Sequence, residues 1–330
     1  MLFTLIICTY KRSEPLLRLL LSVKQQTLYP SEILIVDGSP DDYTKDMLSH
    51  NFFDNLTYFK VADNERGLTK QRNYGIARVQ ETSEVVCFLD DDTVLEPTYF
   101  SEVIKVFKET KNCIGVGGIA INENRWFLAE KGKEYNSKKY YQIDGYVLKE
   151  SLRNKIRNYI GLQSDKNPGV MPEYSHGRTF GYPLTGKNYE VDLLIGMSMS
   201  FRKQIFDTLR FSTYFEGYGL YEDADFSLRA LRFGKNIICT NAKLSHYHDA
   251  AGRPNKFDYG KMVVRNGYYV WRIKYPNPSF TAQIKWHLIT LLLLIIRFTN
   301  VFTTSKRKEA LTETLGRISG WFSLFFNSPK

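Results

Sequence analysis

Short apolar runs rich in β-branched residues alternate with amphipathic stretches over the first 120 residues. Such runs predict strands, at residues 2–8, 33–36, 56–61, 85–89 and 114–121. Between them, apolar residues recur every three or four positions and predict helices, at residues 13–26, 69–79 and 97–108. Strands and helices that alternate in this way predict an α/β domain with a mostly parallel central sheet.

Acidic residues follow two of the predicted strands directly. The strand at 33–36 runs into Asp37, and the strand at 85–89 runs into the triplet Asp90–Asp92. Ligands of open α/β sheets bind beyond the carboxyl ends of the strands. Adjacent carboxylates raise one another's pKa unless a positive charge lies among them. The pattern therefore favours a site for a charged ligand, and the alternative is an ordinary loop with a helix cap before Pro97.

The middle of the chain has a less regular pattern. Residues 122–190 are polar and rich in Tyr, Lys and Gly, and their weak periodicity predicts a long excursion or a lid. A sheet-like pattern resumes at Val191. The segment 222–233 predicts a helix, which Gly234 is expected to end.

The last part of the chain is basic, apolar and helical in pattern. We expect a catalytic domain at residues 1–252 and a helical extension at 253–330 that either associates with a membrane or packs on the domain. The net charge of +10 lies in this region, because residues 253–308 hold 11 Lys and Arg against the single acid Asp258. A basic excess confined to one segment disfavours a nucleic-acid-binding protein.

The most apolar stretch runs from Trp286 to Phe302. Its uninterrupted part, 288–296, is far shorter than the ~20 residues of a spanning helix. Lys285 and Arg297 flank this part with positive charge, which anionic headgroups attract. We expect an in-plane or shallow anchor at an anionic membrane surface, and the alternative is a helix that packs on the domain or in a dimer contact.

The four cysteines are consistent with an intracellular protein. They show no C-x-x-C spacing, and each lies in an apolar or β-branched stretch. We expect them to be reduced thiols of a cytoplasmic chain rather than disulfide or zinc ligands.

Six motifs occur in an order that resembles one known family. They are TLIICTYKR, ILIVDGSPDD, GLTKQRNYGIAR, CFLDDDT, LIGMSMSFRK and YEDADFSLRALRFGK. Over residues 2–248 the chain resembles an inverting family 2 glycosyltransferase with a GT-A fold, a nucleotide-binding sandwich. The resemblance implies a nucleotide-sugar donor and a divalent metal.

The predicted metal ligands are Asp90, Asp92 and His246. A divalent ion held by one or two carboxylates neutralises a departing diphosphate. Asp90 and Asp92 form a D-x-D pair, and strand alternation places both on one side if the extended conformation continues. The resemblance implies that Asp92 and His246 bind Mn²⁺ or Mg²⁺ and that metal and nucleotide share Asp90. His248 is the alternative histidine.

A nucleotide site is predicted along the same edge. The loop after the first strand can face a base, and Asp37 can accept from a uracil N–H, which favours a UDP-linked donor. The alternative for Asp37 is a turn-forming role before glycine. The predicted nucleotide contacts are Thr9, Tyr10, Arg12, Asp37, Lys70, Arg72, Asp90 and Asp91.

Acids at the start of the predicted 222–233 helix are candidates for the reaction. A carboxylate near the acceptor hydroxyl can serve as general base, although acids here also stabilise a helix dipole without any catalytic role. The resemblance implies that Asp223 is the base, that Glu222 orients or contacts the acceptor, and that transfer inverts the anomeric carbon.

These observations predict an enzyme of cell-envelope polysaccharide synthesis, peripheral at the cytoplasmic face of the cell membrane. It would move a sugar to a hydroxyl of a glycan or lipid-linked glycan. Two alternatives stay open. One is a non-catalytic membrane-associated scaffold on a transferase fold. The other is a nucleotidyltransferase, although the loop CTYKRSEPL lacks the glycines usual for that class.

Overall fold

The computed structural model describes residues 1–248 and 254–329. The chain forms two compact units. Met1–Asn124 and Leu184–Arg253 make the first, and Arg125–Pro183 and Pro254–Lys330 make the second. The predicted domain boundary at 252/253 lies outside the described residues. The division into a catalytic domain and a helical extension therefore stays a prediction.

The strands fall into two sheets. In the first unit they are β1 Phe3–Thr9, β2 Glu32–Asp37, β3 Leu56–Lys60, β4 Val85–Asp90, β5 Thr93–Leu95, β6 Cys113–Ala120, β10 Asn188–Val191, β11 Ser198–Arg202 and β12 Lys235–His246. In the second unit they are β7 Phe127–Leu128, β8 Tyr140–Ile143 and β9 Tyr146–Lys149.

The helices follow the sequence pattern closely in the first unit. They are α1 Ser13–Lys24, α2 Tyr43–Ser49, α3 Leu68–Ile76, α4 Tyr99–Glu109 and α6 Glu222–Ala230. The second unit has α5 Leu152–Tyr159, α7 Lys256–Lys274, α8 Phe280–Thr303 and α9 Arg307–Phe326. Short 3₁₀ turns lie at Asp63–Glu65, Lys203–Asp207 and Thr213–Phe215.

The large sheet has nine strands within the described residues, in the order β10-β12-β6-β11-β4-β1-β2-β3 with β5 beside β12. The strands β1, β2, β3, β4, β6 and β12 run in one direction, and β5, β10 and β11 oppose them. The expected mostly parallel α/β sheet is therefore confirmed.

The register of the parallel strands determines where the polar residues of the site lie. Thr9 lies opposite Asp37 across β1 and β2, and Cys8 lies opposite Asp90 across β1 and β4. The polar residues that follow these strands therefore meet at one edge of the sheet, as expected for parallel strands that carry a ligand site.

A hydrophobic core between the sheet and the helices α1 and α4 supports this edge. Side chains of α1 and α4, including Leu19 and Phe100, pack with no exposed surface against the sheet. Burial of a large apolar side chain contributes about 1.5–3 kcal/mol, so this layer holds the strand ends in place. Cys87, Cys113 and Cys239 are buried and Cys8 is half-buried, and each is a free thiol in the described residues.

The second unit holds more regular structure than its sequence pattern indicates. Within the predicted excursion 122–190, β7, β9 and β8 form a small antiparallel sheet, and α5 follows it. The helical pattern expected after residue 257 is confirmed by α7, α8 and α9. Gly316 of α9 lies directly against the backbone of Phe257 in α7, where a Cβ would fall 2.0 Å from its carbonyl oxygen.

Candidate active site

The aspartate triplet lies on a turn rather than on a continued strand. β4 ends at Asp90, and residues 91 and 92 form a turn before β5. Strand alternation is therefore wrong as the reason that Asp90 and Asp92 come together. Antiparallel pairing of β5 with β12 places Thr93 opposite His246, and this pairing brings Asp92 beside the histidine.

Asp91 is bound inside the protein. Its carboxylate accepts hydrogen bonds from Thr9 Oγ1 at 2.7 Å and from Arg12 Nη1 at 3.0 Å. Burial raises the pKa of Asp91 to about 7, against the opposing charge of Arg12 and the bond from Thr9. Three of the predicted nucleotide contacts thus form one buried cluster that anchors the loop after β1 to the triplet.

Asp90, Asp92 and His246 converge on one point. A ligand atom from each lies within 4.8 Å of the others, and His246 Nε2 is 3.2 Å from Asp92 Oδ1. Two carboxylates and an imidazole are a donor set that suits Mn²⁺ or a similar divalent ion. The predicted metal ligands are therefore brought together, and they fit such an ion.

Glu123 completes this cluster, and it is absent from the sequence-based prediction. Its Oε1 lies 3.2 Å from His246 Nδ1 and 2.7 Å from His248 Nε2. A carboxylate on one ring nitrogen of a histidine directs the other nitrogen toward a metal. Burial lowers the pKa of His246, but the bond to Asp92 and the charges of three carboxylates outweigh it and raise that pKa.

Asp37 is fully buried at the end of β2. Its Oδ1 accepts from the backbone N–H of Ser39 at 2.7 Å, and its Oδ2 accepts from the hydroxyl of Tyr58 at 3.0 Å. The structure thus has the turn-forming bond that was the alternative for this residue. Contact with a base would require this carboxylate to become exposed, and the nucleotide role stays a prediction.

Tyr10 lies near two cations in the same region. Lys11 Nζ is 5.6 Å from the centre of its ring, and the Arg66 guanidinium is 5.7 Å from it. Arg66 also donates to the carbonyl of Gly38 at 2.7 Å. Arg66 was not predicted, although its position just before the GLTKQR motif was a signal, and it adds positive charge at the predicted nucleotide loop.

The acids of α6 lie at the start of the helix, as predicted. Asp223 Oδ2 accepts from the N–H of Gly196 at 2.9 Å, and Oδ1 accepts from the N–H of Ala224 at 2.8 Å. Burial raises the pKa of Asp223, against these two N–H donors. Tyr221, just before the helix, has the left-handed φ of 72°, a strained conformation of the kind that concentrates at functional sites.

Glu222 is a buried neighbour with a different environment. Its Oε1 accepts a short bond from Arg72, whereas its Oε2 has no hydrogen-bond partner among the described residues. Burial raises the pKa of Glu222 to about 8 and outweighs the opposing charge of Arg72. A carboxyl group with a pKa raised in this way is suited to proton exchange in a reaction.

Arg72 links the two groups of acids. Besides Glu222, its guanidinium lies 3.5 Å from Asp90 and 3.3 Å from the carbonyl oxygen of Gly196. It also lies 5.2 Å from the ring centre of Phe211. Arg72 is buried, so it is a fixed charge between the acid groups rather than a flexible surface cation.

Lys70 is set apart from this network. Its ammonium group lies 3.2 Å from Glu216 and is partly exposed. Nothing in this pairing distinguishes a nucleotide contact from an ordinary surface ion pair, so the predicted role of Lys70 stays a prediction.

Comparison with known proteins identifies the family. Residues 4–167 match the family described as "Glycosyl transferase family 2". The chain belongs to the family 2 glycosyltransferases. A segment of 95 residues is 30% identical to the O-antigen chain rhamnosyltransferase RfbN of Salmonella typhimurium, and it spans 29% of each chain.

Solved structures support the fold. The structure of S. aureus TarS 1-349 aligns with 98% of this chain and 80% of its own length, with a TM-score of 0.52 and 13% identity. A structure of GalNAc-T7 with UDP, GalNAc and Mn²⁺ aligns with 80% of this chain and 47% of its own, with a TM-score of 0.50 and 13% identity. At this identity the likeness concerns the fold alone, and it agrees with the predicted GT-A type.

Family membership decides between the predicted functional classes. The predicted glycosyltransferase class is confirmed, and membership of this family disfavours the nucleotidyltransferase alternative.

Proposed function

We propose that this enzyme is a metal-dependent inverting glycosyltransferase with a UDP-linked donor and a glycan or lipid-linked glycan acceptor. The observation that carries the proposal is the position of Arg72. It contacts Asp90 of the candidate metal group and Glu222 of the candidate acceptor group. Two acid groups joined by one buried cation suit a reaction in which a donor and an acceptor meet between them.

Asp90, Asp92 and His246 would hold the divalent ion. When bound, Mn²⁺ or Mg²⁺ supplies positive charge to the diphosphate that leaves. Glu123 orients His246 toward it through the bond at Nδ1. GalNAc-T7, which shares the fold, binds UDP and Mn²⁺ together, and this is the pairing that we propose here.

The nucleotide would lie along the edge formed by the ends of β1 and β2. Tyr10 and Arg66 present an aromatic face and a guanidinium there, which suit a base and a phosphate respectively. Arg12 stays paired with Asp91, so its role is to fix the loop. A uracil base is favoured because Asp37 can accept from its N–H once it is exposed.

Asp223 would act as the general base. Its carboxylate takes the proton of the acceptor hydroxyl while that oxygen attacks the anomeric carbon, and the bond between this carbon and the diphosphate oxygen breaks with inversion. The two N–H donors orient the carboxylate, and burial keeps it basic. Protonated Glu222 can donate from its unpaired Oε2 to the acceptor and so position it.

The acceptor class is proposed from the relative. RfbN is an O-antigen chain rhamnosyltransferase, and an envelope polysaccharide is the corresponding acceptor here. Because the proposed acceptor includes a lipid-linked glycan, we place this enzyme in the cytoplasm at the inner face of the cell membrane. α8 is long and apolar enough to cross a membrane by length and composition, and only 11% of its most apolar window is buried.

Calorimetric titration with nucleotides tests the donor part of this proposal. The wild-type protein would be titrated with UDP, GDP and dTDP, each with and without Mn²⁺. We expect UDP to bind in a Mn²⁺-dependent manner and more tightly than the other two. Tighter binding of GDP or dTDP would overturn the uracil assignment, and equal binding without metal would overturn the metal dependence.

A further inference from the structure

The exposed face of α8 carries a continuous apolar stripe. Its members recur every three or four residues along the whole helix and are exposed, at Phe280, Ile284, Leu288, Leu291, Ile295, Phe298 and Phe302. A spacing of three and four keeps side chains on one face of a helix. Exposed apolar faces of this length mark interaction surfaces.

The opposite face of α8 packs within the second unit. The ring of Trp286 stacks on Trp271 of α7 with centroids 5.3 Å apart. At the neighbouring position, Trp321 of α9 donates its indole N–H to His287 at 3.0 Å. α8 is therefore a two-sided helix, with one face in the protein and the other in solvent.

The two basic residues of α8 do not contribute to the stripe. Arg297 pairs with the buried Glu313 of α9 at 2.8 Å, and the ammonium group of Lys285 lies 4.8 Å from the ring centre of Tyr174. Arg297 interrupts the apolar run in the sequence, but in the structure its charge is offset on the protein side. The exposed stripe is consequently free of charged residues.

α9 also carries exposed apolar side chains. It is the next helix of the chain and contacts α8 through the pairs above, and it adds exposed side chains at Leu311, Leu315, Phe322, Phe325 and Phe326. The exposed basic triplet Lys306–Lys308 lies at the start of α9. Apolar side chains beside a cluster of exposed lysine and arginine residues are complementary to an anionic lipid surface.

We propose that the α8–α9 hairpin docks in the plane of an anionic bilayer and does not cross it. Charged residues of the helices that pack on α8 argue against crossing. α9 carries Glu313 and Arg317 beside α8, and Gly316 and Gly320 hold α9 in backbone contact with α7. α7 in turn has charged residues along its length, so a crossing α8 would separate from both helices or bring their charges into hydrocarbon.

A lipid surface fits better than a second copy of this chain. Two copies that meet through this hairpin would bring together two basic triplets. The proposed function includes a membrane surface as a partner, and this inference names the part of the protein that contacts it. The inference rests on the proposed function only in this respect. Nucleotide binding belongs to the other unit, so each can fail without the other.

Vesicle flotation of the whole protein tests the docking. We expect binding to phosphatidylcholine vesicles with a quarter phosphatidylglycerol and much weaker binding to pure phosphatidylcholine. The double variant Leu288→Asp, Ile295→Asp should weaken binding by at least about 100-fold, since it replaces two exposed apolar side chains of the stripe by carboxylates that anionic headgroups repel. The matched control Phe52→Asp, Phe233→Asp changes exposed apolar residues of the first unit and should bind as the wild type does.

Several outcomes would overturn the proposal. Wild-type protein that does not float with anionic vesicles while it still binds nucleotide would refute the docking and leave the proposed function intact. A wild type that is dimeric by sedimentation, with a monomeric stripe variant and no vesicle binding, would assign the surface to a second copy. Equal binding by the stripe and control variants would show that another surface binds lipid.

Labelling of introduced cysteines distinguishes docking from crossing. The exposed positions Thr281 and Ser305 lie at the two ends of α8, and each would be changed to Cys and treated with a membrane-impermeant maleimide on intact vesicles. Labelling of both, above the wild-type background, is expected for an in-plane hairpin. Protection of one end, restored by detergent, would show that α8 crosses the bilayer.

Discussion

Two groups of acidic residues in the first unit have different partners for their carboxyl groups. In the triplet Asp90–Asp92, the nearest cations are different for each carboxylate: Arg72, Arg12 and the ring of His246. In the pair at the start of α6, the Asp223 carboxylate accepts from the backbone N–H groups of Gly196 and Ala224. Its neighbour Glu222 shares the single cation Arg72.

This difference corresponds to two kinds of chemistry. Asp90 and Asp92, whose ligand atoms lie within 4.8 Å of one of His246, are suited to hold an ion, whereas Asp91 is bound to Thr9 and Arg12 and anchors the loop. Carboxyl groups in which burial raises the pKa, as in Asp223 and Glu222, are suited to exchange protons. We infer that the first group binds the donor and that the second reacts with the acceptor.

The largest expected effect comes from Asp223→Asn. An amide cannot take the acceptor proton, so sugar transfer should fall by roughly 10²–10⁴-fold. The measurement is the turnover number with a UDP-sugar and an acceptor extract. The control is Asp207→Asn, which neutralises an exposed acid of the same unit and should leave turnover unchanged. Near-normal turnover of Asp223→Asn would contradict the role of base.

Arg72→Met tests the link between the groups. It removes the charged donor that Glu222 accepts from, and a hydrogen bond to a charged group contributes about 1.5–3 kcal/mol to the free energy of unfolding. Chemical denaturation measures this change. The double variant Arg72→Met, Glu222→Met should recover much of the loss, because it leaves no buried carboxyl group at position 222 without its donor. A double variant as unstable as the single one would show that Arg72 acts through packing alone.

Glu123→Gln sharpens the description of the metal group. An amide can donate to His246 Nδ1 as well as accept from it, so the ring orientation is less well fixed. Loss of such a partner typically weakens metal affinity by roughly 10–100-fold. Titration with Mn²⁺ in the presence of UDP measures it, with Glu81→Gln, an exposed acid, as control. Unchanged affinity would remove Glu123 from the metal group.

The smallest expected effect is on pH dependence. Asp223 must be ionised to act as base, so kcat/KM should fall as the pH drops through its raised pKa, above the ordinary value of 3.8. Protonated Glu222 helps to position the acceptor, so kcat/KM should also fall as the pH rises through about 8. Glu222→Gln should lose the alkaline limb and keep the acid limb. An alkaline limb unchanged in this variant would refute the role of Glu222.

The sequence was informative where structure is determined locally. The strands that end at Thr9, Asp37 and Asp90 were predicted within a residue or two, because each is a short apolar run followed directly by polar residues. Parallel strands then bring those ends to one edge. For the same reason the acids of α6 were placed at a helix start.

The sequence was uninformative where distant segments determine the contact. Asp92 meets His246 because β5 pairs with β12, and no local pattern encodes that pairing. The contact of Glu123 with both histidines depends on the same arrangement. The burial of Arg72 between two acid groups was also missed, since an arginine in a helix is ordinarily a surface residue.

The most direct test of the two separate roles is the binding of UDP with Mn²⁺ to Asp223→Asn and to Asp92→Asn, measured side by side with the wild type. Our account predicts that Asp223→Asn binds UDP as the wild type does and that Asp92→Asn loses the Mn²⁺-dependent part of the affinity. Loss of binding in Asp223→Asn, or full Mn²⁺-dependent binding in Asp92→Asn, would contradict it.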